Sequence, residues 1–133
     1  MKKRHIFFLC FCIVFNMKSQ NLARTKWLLV SLDDLETGKS KQPSSKMHAT
    51  LHFDSDTSYS GAYCNHYQGN YKSSAEYKLN MVAPQSIKRS CLGIGEREKE
   101  LFAMYAKATR YRTDKGFLFI FTSDKHRLTF TKE

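Results

Sequence analysis

The sequence predicts a mainly β protein of the α+β class: a curved antiparallel sheet or incomplete barrel of seven or eight short strands, with one packed α-helix over about residues 95–108. Three observations carry this. Several short segments alternate apolar and polar residues with period two, as in Met47 to Phe53. Turn residues separate these segments at short intervals. Only one stretch, Glu96 to Ala108, consists wholly of good or tolerable helix formers.

Thr25 to Leu32 is the opening strand, centred on Trp27, Leu28, Leu29 and Val30. Asp33 to Ser45 reads as a polar loop containing Gly38 and Pro43. Met47 to Phe53 places Met47, Ala49, Leu51 and Phe53 on one face, with His48, Thr50 and His52 on the other. Asp54-Ser55-Asp56 is a turn, and Thr57 to Tyr63 is the next strand. Asn65 to Tyr71 is less regular, since Gly69 and Asn70 can support a turn or bulge. Tyr77 to Val82 alternates again until Pro84, and Ser86 to Ser90 is a short strand. In the helix, acids fill the first turn and Leu101, Tyr105 and Ala108 recur at helical spacing beside Phe102. Thr109 to Thr113, Phe117 to Phe121 and Arg127 to Thr131 close the chain as a meander. Phe117 to Phe121 is apolar at every position, so it reads as a central strand covered on two sides. The expected core is Trp27, Leu51, Phe53, Phe102, Phe119 and Phe130.

The N-terminal residues 1–19 read as a cleaved secretory signal. Lys2, Lys3 and Arg4 precede an apolar run from Ile6 to Phe15, too short to span a bilayer, which needs roughly twenty residues. Cleavage is placed after Ser19, leaving residues 20–133 as a single domain. Cys10 follows bulky Phe8 and Leu9 rather than a small residue, so a lipoprotein anchor is disfavoured. The signal takes four of the 22 basic residues and none of the 12 acids, so the mature net charge is about +6. No later apolar stretch reaches spanning length. The expected location is exported, periplasmic or extracellular, and the expected state is a monomer.

Cys64 and Cys91 remain after the signal is removed. In an oxidising compartment two cysteines read as a disulfide. Two free thiols are the alternative, with His66 two residues from Cys64 as a partner for thiol chemistry.

The run Ser60-Gly61-Ala62-Tyr63-Cys64-Asn65-His66-Tyr67-Gln68-Gly69-Asn70-Tyr71 resembles the G-x-x-C-N-x-(aromatic)-x-G-x-(aromatic) signature of the META domain, the HslJ-like family of bacterial envelope proteins. Ile87 to Cys91 is similar to the second cysteine's segment, with Ile87 where the family usually has Thr. Glu98 to Tyr105 resembles the family helix, and the closing strands follow in family order. The resemblance covers about residues 22–131. It implies a curved or barrel-like antiparallel sheet with one helix, a disulfide between Cys64 and Cys91, and motif positions Gly61, Asn65, Tyr67, Gly69 and Tyr71. It also implies an exported or membrane-anchored protein with no established enzymatic activity, in a family some of whose members are linked to heat shock, novobiocin tolerance, motility or virulence.

Histidines, tyrosines and basic residues are the other groupings with chemical potential. His48 and His52 lie on one strand face roughly 13 Å apart, too far to bind one metal without ligands from a third element. No metal site and no cofactor is expected. Tyr59, Tyr63, Tyr67 and Tyr71 recur every four residues. Tyr59, Tyr63 and Tyr67 form a candidate ligand surface for sugars, lipids or partner side chains, or else pack beneath the helix. Asn65 is expected to cap the turn beside Cys64 through backbone groups, with Gly69 supplying a positive φ or a close approach. Basic residues are scattered, without the aromatic interleaving of a nucleic-acid module, so anionic lipid or lipopolysaccharide is a better partner than DNA. Gly93-x-Gly95 is a weak anion cradle followed by acids. No G-x-S-x-G elbow or zinc motif is present, so no catalytic residue is assigned.

The functional expectation is a non-catalytic envelope module that serves binding or stress tolerance, with an unknown envelope protein or a lipid-like ligand as partner. The alternative is a carrier holding an apolar molecule inside an incomplete barrel.

Overall fold

The computed structural model describes residues 21–43, 48–86 and 94–133. Within these the chain runs β1 (Thr25–Asp34), β2 (Ser40–Lys41), β3 (Thr50–Phe53), β4 (Ser58–Ala62), β5 (His66–Ser73), β6 (Leu79–Met81), β7 (Gln85–Ser86), α1 (Gly95–Ala106), β8 (Ala108–Asp114), β9 (Phe117–Thr122) and β10 (His126–Lys132). Met47, the residues 87–90 of the expected short strand, Cys91 and Gly93 lie outside the described residues.

The strands form one antiparallel sheet in the order β6-β5-β4-β3-β1-β10-β9-β8, with β2 on β1 and β7 on β5. Strand β1 is long because it is paired along both edges. Its first half faces β3, its second half faces β2, and β10 lies along its other side. The sheet curls nearly shut. Just before β6, the Tyr77 carbonyl accepts the Tyr111 N–H at 2.9 Å, and Lys78 bridges Arg110 on β8. Closing a sheet in this way covers edges that would otherwise carry unpaired backbone groups.

The inward alternation of each strand supplies the core. Trp27, Leu29 and Leu32 of β1, Leu51 and Phe53 of β3, Leu118 and Ile120 of β9, and Leu128 and Phe130 of β10 are all buried. Helix α1 contributes Leu101, Met104 and Tyr105. The helix stops at Ala106, two residues earlier than expected, and Ala108 begins β8 instead. Between β8 and β9, Lys115 and Gly116 both adopt positive φ, +48° and +82°. That is the mirror-image two-residue turn whose twist matches a hairpin, and glycine is at home in it.

Two expectations are corrected. Strand β2 sits in what reads as a polar loop; backbone pairing with β1, rather than any apolar pattern, holds its two exposed residues. Strand β9 is covered on one face only. Leu118 and Ile120 point inward, whereas Phe117 is 41% exposed and Phe119 and Phe121 are half-buried on the outer face. Phe119 is therefore not core. The outer rings are covered by arginines from the neighbouring strands: Arg110 over Phe121 at 4.8 Å, and Arg112 and Arg127 over Phe119 at 5.7 and 5.6 Å. An aliphatic stem with a guanidinium can shield a ring without a second protein layer, which is why a wholly apolar run need not be a central strand. Arg127 is fixed there by Asp33, 3.0 Å from its Nε, and Thr129 donates to the same carboxylate. Phe102 is likewise only partly buried and packs on Tyr67 at the rim of the core.

Candidate functional site: the Cys64 turn and its tyrosine ladder

The family-like motif spans β4, the turn at residues 63–65 and β5. In the β4–β5 register Tyr59 stands opposite Gly69, and Gly61 stands opposite Tyr67. Each tyrosine ring lies across the glycine of the facing strand. A Cβ built on Gly69 would come within 2.6 Å of the Tyr59 ring. One built on Gly61 would overlap the Thr50 carbonyl oxygen and the Tyr67 hydroxyl. Of the two roles expected for Gly69, close approach is the one it fills, here to a ring rather than to backbone. It lies inside a continuous β5 and is not among the positive-φ glycines.

The glycines thus make room for hydroxyls that reach specific backbone carbonyls. Tyr59 donates to the Val82 carbonyl, Tyr67 to the Thr50 carbonyl and Tyr71 to the Ser55 carbonyl. Because Tyr67 spends its proton on a carbonyl, the Tyr105 hydroxyl, 3.0 Å away, must be the donor between those two. Tyr59, Tyr67 and Tyr105 pack ring to ring, with centroids 5.8–6.4 Å apart. Burial pushes the hydroxyls of Tyr59, Tyr67 and Tyr105 far above the usual tyrosine value, with the Tyr105 hydrogen bond offsetting part of the shift at Tyr67. Burial also raises Tyr71, to about 12. Replacing Gly61 with alanine is expected to cost about 1–3 kcal/mol in a thermal or urea melt, because the added methyl meets main chain that cannot move aside. Adding Tyr67→Phe should not restore the loss, since the Thr50 carbonyl remains in the way.

At the turn, Glu98 comes in from the first turn of α1 and is only 6% exposed. Its Oε2 accepts the backbone N–H groups of Cys64 and Asn65, each at 2.8 Å, and its Oε1 accepts the Asn65 side-chain amide at 3.0 Å. Asn65 Nδ2 also lies 3.3 Å from Cys64 Sγ. A carboxylate out of water is tolerated when it gathers several donors, and three are supplied here. The helix is thereby tied to the motif turn by charge-assisted bonds. Cys64 is disulfide-bonded; Cys91 lies outside the described residues.

The sequence-derived residues are distributed as follows. Gly61, Asn65, Tyr67, Gly69 and Tyr71 do converge on one interior face. Tyr59, Tyr63 and Tyr67, offered as a ligand surface, are buried at 1, 6 and 3% exposure and form core instead. Four-residue spacing cannot distinguish an inner face from an outer one, and the turn at 63–65 interrupts the strand the spacing assumed. Asn65 acts on a helix side chain, not chiefly on its own turn. The histidines stay apart: His48 and His66 are exposed, His52 pairs with Glu133 at 2.7 Å, and His126 pairs with Asp124. Among the described residues no group of three His, Cys, Asp or Glu could hold a metal ion. Sequence reasoning missed Glu98 and the hydroxyl role of Tyr105. A signal existed, because Glu98, Leu101 and Tyr105 share one helix face at spacings of three and four.

The model of the META domain matches residues 20–133. None of the curated proteins matches. A protein from Burkholderia xenovorans, solved by NMR, is similar in fold, with TM-score 0.72 and 20% identity over 86% of each chain. A DUF4847 family protein from Bacteroides vulgatus is also similar, with TM-score 0.63 and 13% identity over 84% of this chain and 94% of the other. At such identities the likeness concerns the fold. The family match is of another order, for it spans the motif, the helix and the closing meander together: the chain belongs to the META domain, HslJ-like family.

Proposed function

We propose that this chain is an exported envelope module, non-catalytic, that serves binding or stress tolerance through its outer surface. Residues 1–19 are its cleaved signal, residues 20–133 its working domain, and Cys64 and Cys91 its disulfide. One observation carries the reading. The polar groups of the motif are spent on one another and on backbone in the interior, as in Asn65 with Glu98 and Tyr67 with Tyr105. A motif committed in this way builds a scaffold. The barrel interior is filled by packed aliphatic and aromatic side chains, the motif tyrosines among them, which favours binding at the exterior over an internal carrier of an apolar ligand.

The test is to express the full chain in a bacterium, fractionate the cells and weigh the product natively and denatured. The reading expects an exported monomer beginning near Gln20 or Asn21, lighter by about two hydrogens than its reduced form. A full-length, reduced protein kept in the cytoplasm would contradict it. Cys64→Ser should then lower stability by about 3.5 kcal/mol, the chain-entropy value for a loop of this length, when compared with the oxidised parent in urea.

A further inference from the structure

The seam where the barrel closes holds a feature that the motif does not use. A cleft of about 450 Å³ opens there, lined by Glu76, Tyr77, Arg110, Arg112 and Phe121 among others. That volume falls within the range of small-ligand sites. We propose that this cleft binds an acidic saccharide unit, with its carboxylate or phosphate held by Arg110 and Arg112 and one sugar face laid on Tyr77. The inference rests on the reading of the chain as a surface-binding envelope module and names the ligand class.

Charge is the first argument. Glu76 is already matched by Lys78 at 3.2 Å, and Arg112 meets Asp114 only at 3.6 Å on the open surface. Such an exposed pair is weak and exchanges readily for a better ligand. Arg110 has no carboxylate within salt-bridge distance among the described residues, and its guanidinium lies over the Phe121 ring. Arg110 therefore brings positive charge that no carboxylate among the described residues matches, Arg112 is held only by its weak pair with Asp114, and the plane of both forks suits a carboxylate or phosphate.

The backbone is the second. Tyr77 holds φ at +60°, a conformation that a bulky aromatic rarely adopts, yet the residue is 40% exposed. The ring is braced edge-on by Tyr111, with centroids 5.8 Å apart. Strained residues of this kind persist where the surroundings hold them and where their placement has a use. The placement here sets a flat apolar face beside two guanidiniums. A sugar offers both the matching C–H face and the anion. A peptide strand is a poorer fit, because the β8 edge at Arg110 and Tyr111 is already taken by Lys78 and Tyr77.

The test uses the purified, oxidised mature protein and NMR titration. The probes are trigalacturonate and glucose 1-phosphate, with neutral galactotriose, inorganic phosphate and phosphatidylglycerol vesicles as comparisons. Saturable shifts at Tyr77, Arg110 and Phe121 with either acidic sugar support the proposal, and which sugar binds separates carboxylate from phosphate. Arg110→Gln and Tyr77→Asn, the latter tolerant of the left-handed backbone, should each weaken binding about tenfold with Tm held. The proposal is overturned if galactotriose or inorganic phosphate binds as well as the acidic sugars. It is equally overturned if binding survives both substitutions, if only vesicles bind, or if no probe shifts these residues. An exported, bridged protein that binds neither sugar removes this inference and leaves the preceding reading standing.

Discussion

Glu98→Ala is expected to destabilise the domain by about 3–5 kcal/mol in urea denaturation. The substitution removes no large apolar volume, so the cost is electrostatic. It leaves two backbone N–H groups and the Asn65 amide facing a buried space without their acceptor. Each orphaned donor costs about 1–3 kcal/mol, reduced by local relaxation and by any water that enters. The same bonds join α1 to the Cys64 turn, so the helix should also lose protection from hydrogen exchange before the strands do. Glu98→Gln keeps one acceptor oxygen and should cost about half as much. Glu96→Ala, two residues away on an exposed side chain that pairs with Lys99 at the surface, should stay within about 0.5 kcal/mol. Equal effects at Glu96 and Glu98 would mean that a general helix property, and not the buried anchor, sets the stability.

Alkaline unfolding should be unusually steep. The hydroxyls of Tyr59, Tyr67 and Tyr105 keep their protons in the folded state to a pH well above the usual tyrosine value. In the unfolded chain the same groups ionise near pH 10. Their contribution is therefore complete below about pH 10 and declines as the pH rises toward the folded-state values. Each group costs about 1.4 kcal/mol per pH unit across that window, so the three together remove about 4 kcal/mol per unit. Against a stability of about 5–15 kcal/mol, this brings global unfolding within a few pH units of 10. Tyrosinate absorbance and circular dichroism should change together in one cooperative step. Tyr105→Phe should shallow the dependence by about 1.4 kcal/mol per pH unit. A smooth titration of all tyrosines near pH 10, with the fold intact, would show that these hydroxyls are open to solvent.

The fold was legible where a single rule governs an element. Alternation placed Leu51 and Phe53 inward, and helix formers marked α1. It was not legible where an element depends on distant partners. Two-residue β2 exists only because β1 offers it an edge, and the outer phenylalanines of β9 are shielded by arginines that the linear pattern counts as solvent-facing. The site divides in the same way. Gly61 and Gly69 could be recognised as special, yet their reason is the tyrosine on the facing strand, which depends on register. Asn65 could be recognised as structural, but its partner is 33 residues along the chain, on a helix whose first-turn acids have an ordinary surface explanation.

The central claim is that the motif beside Cys64 is an internal anchor between turn and helix. A double-mutant cycle of Asn65→Ala and Glu98→Ala, read by urea denaturation of the oxidised protein, tests it most directly. The account predicts that the two losses are far from additive, with a coupling of about 1–3 kcal/mol, because each substitution removes the other's partner. Losses that simply add would show that the two residues act independently, and would contradict the anchor.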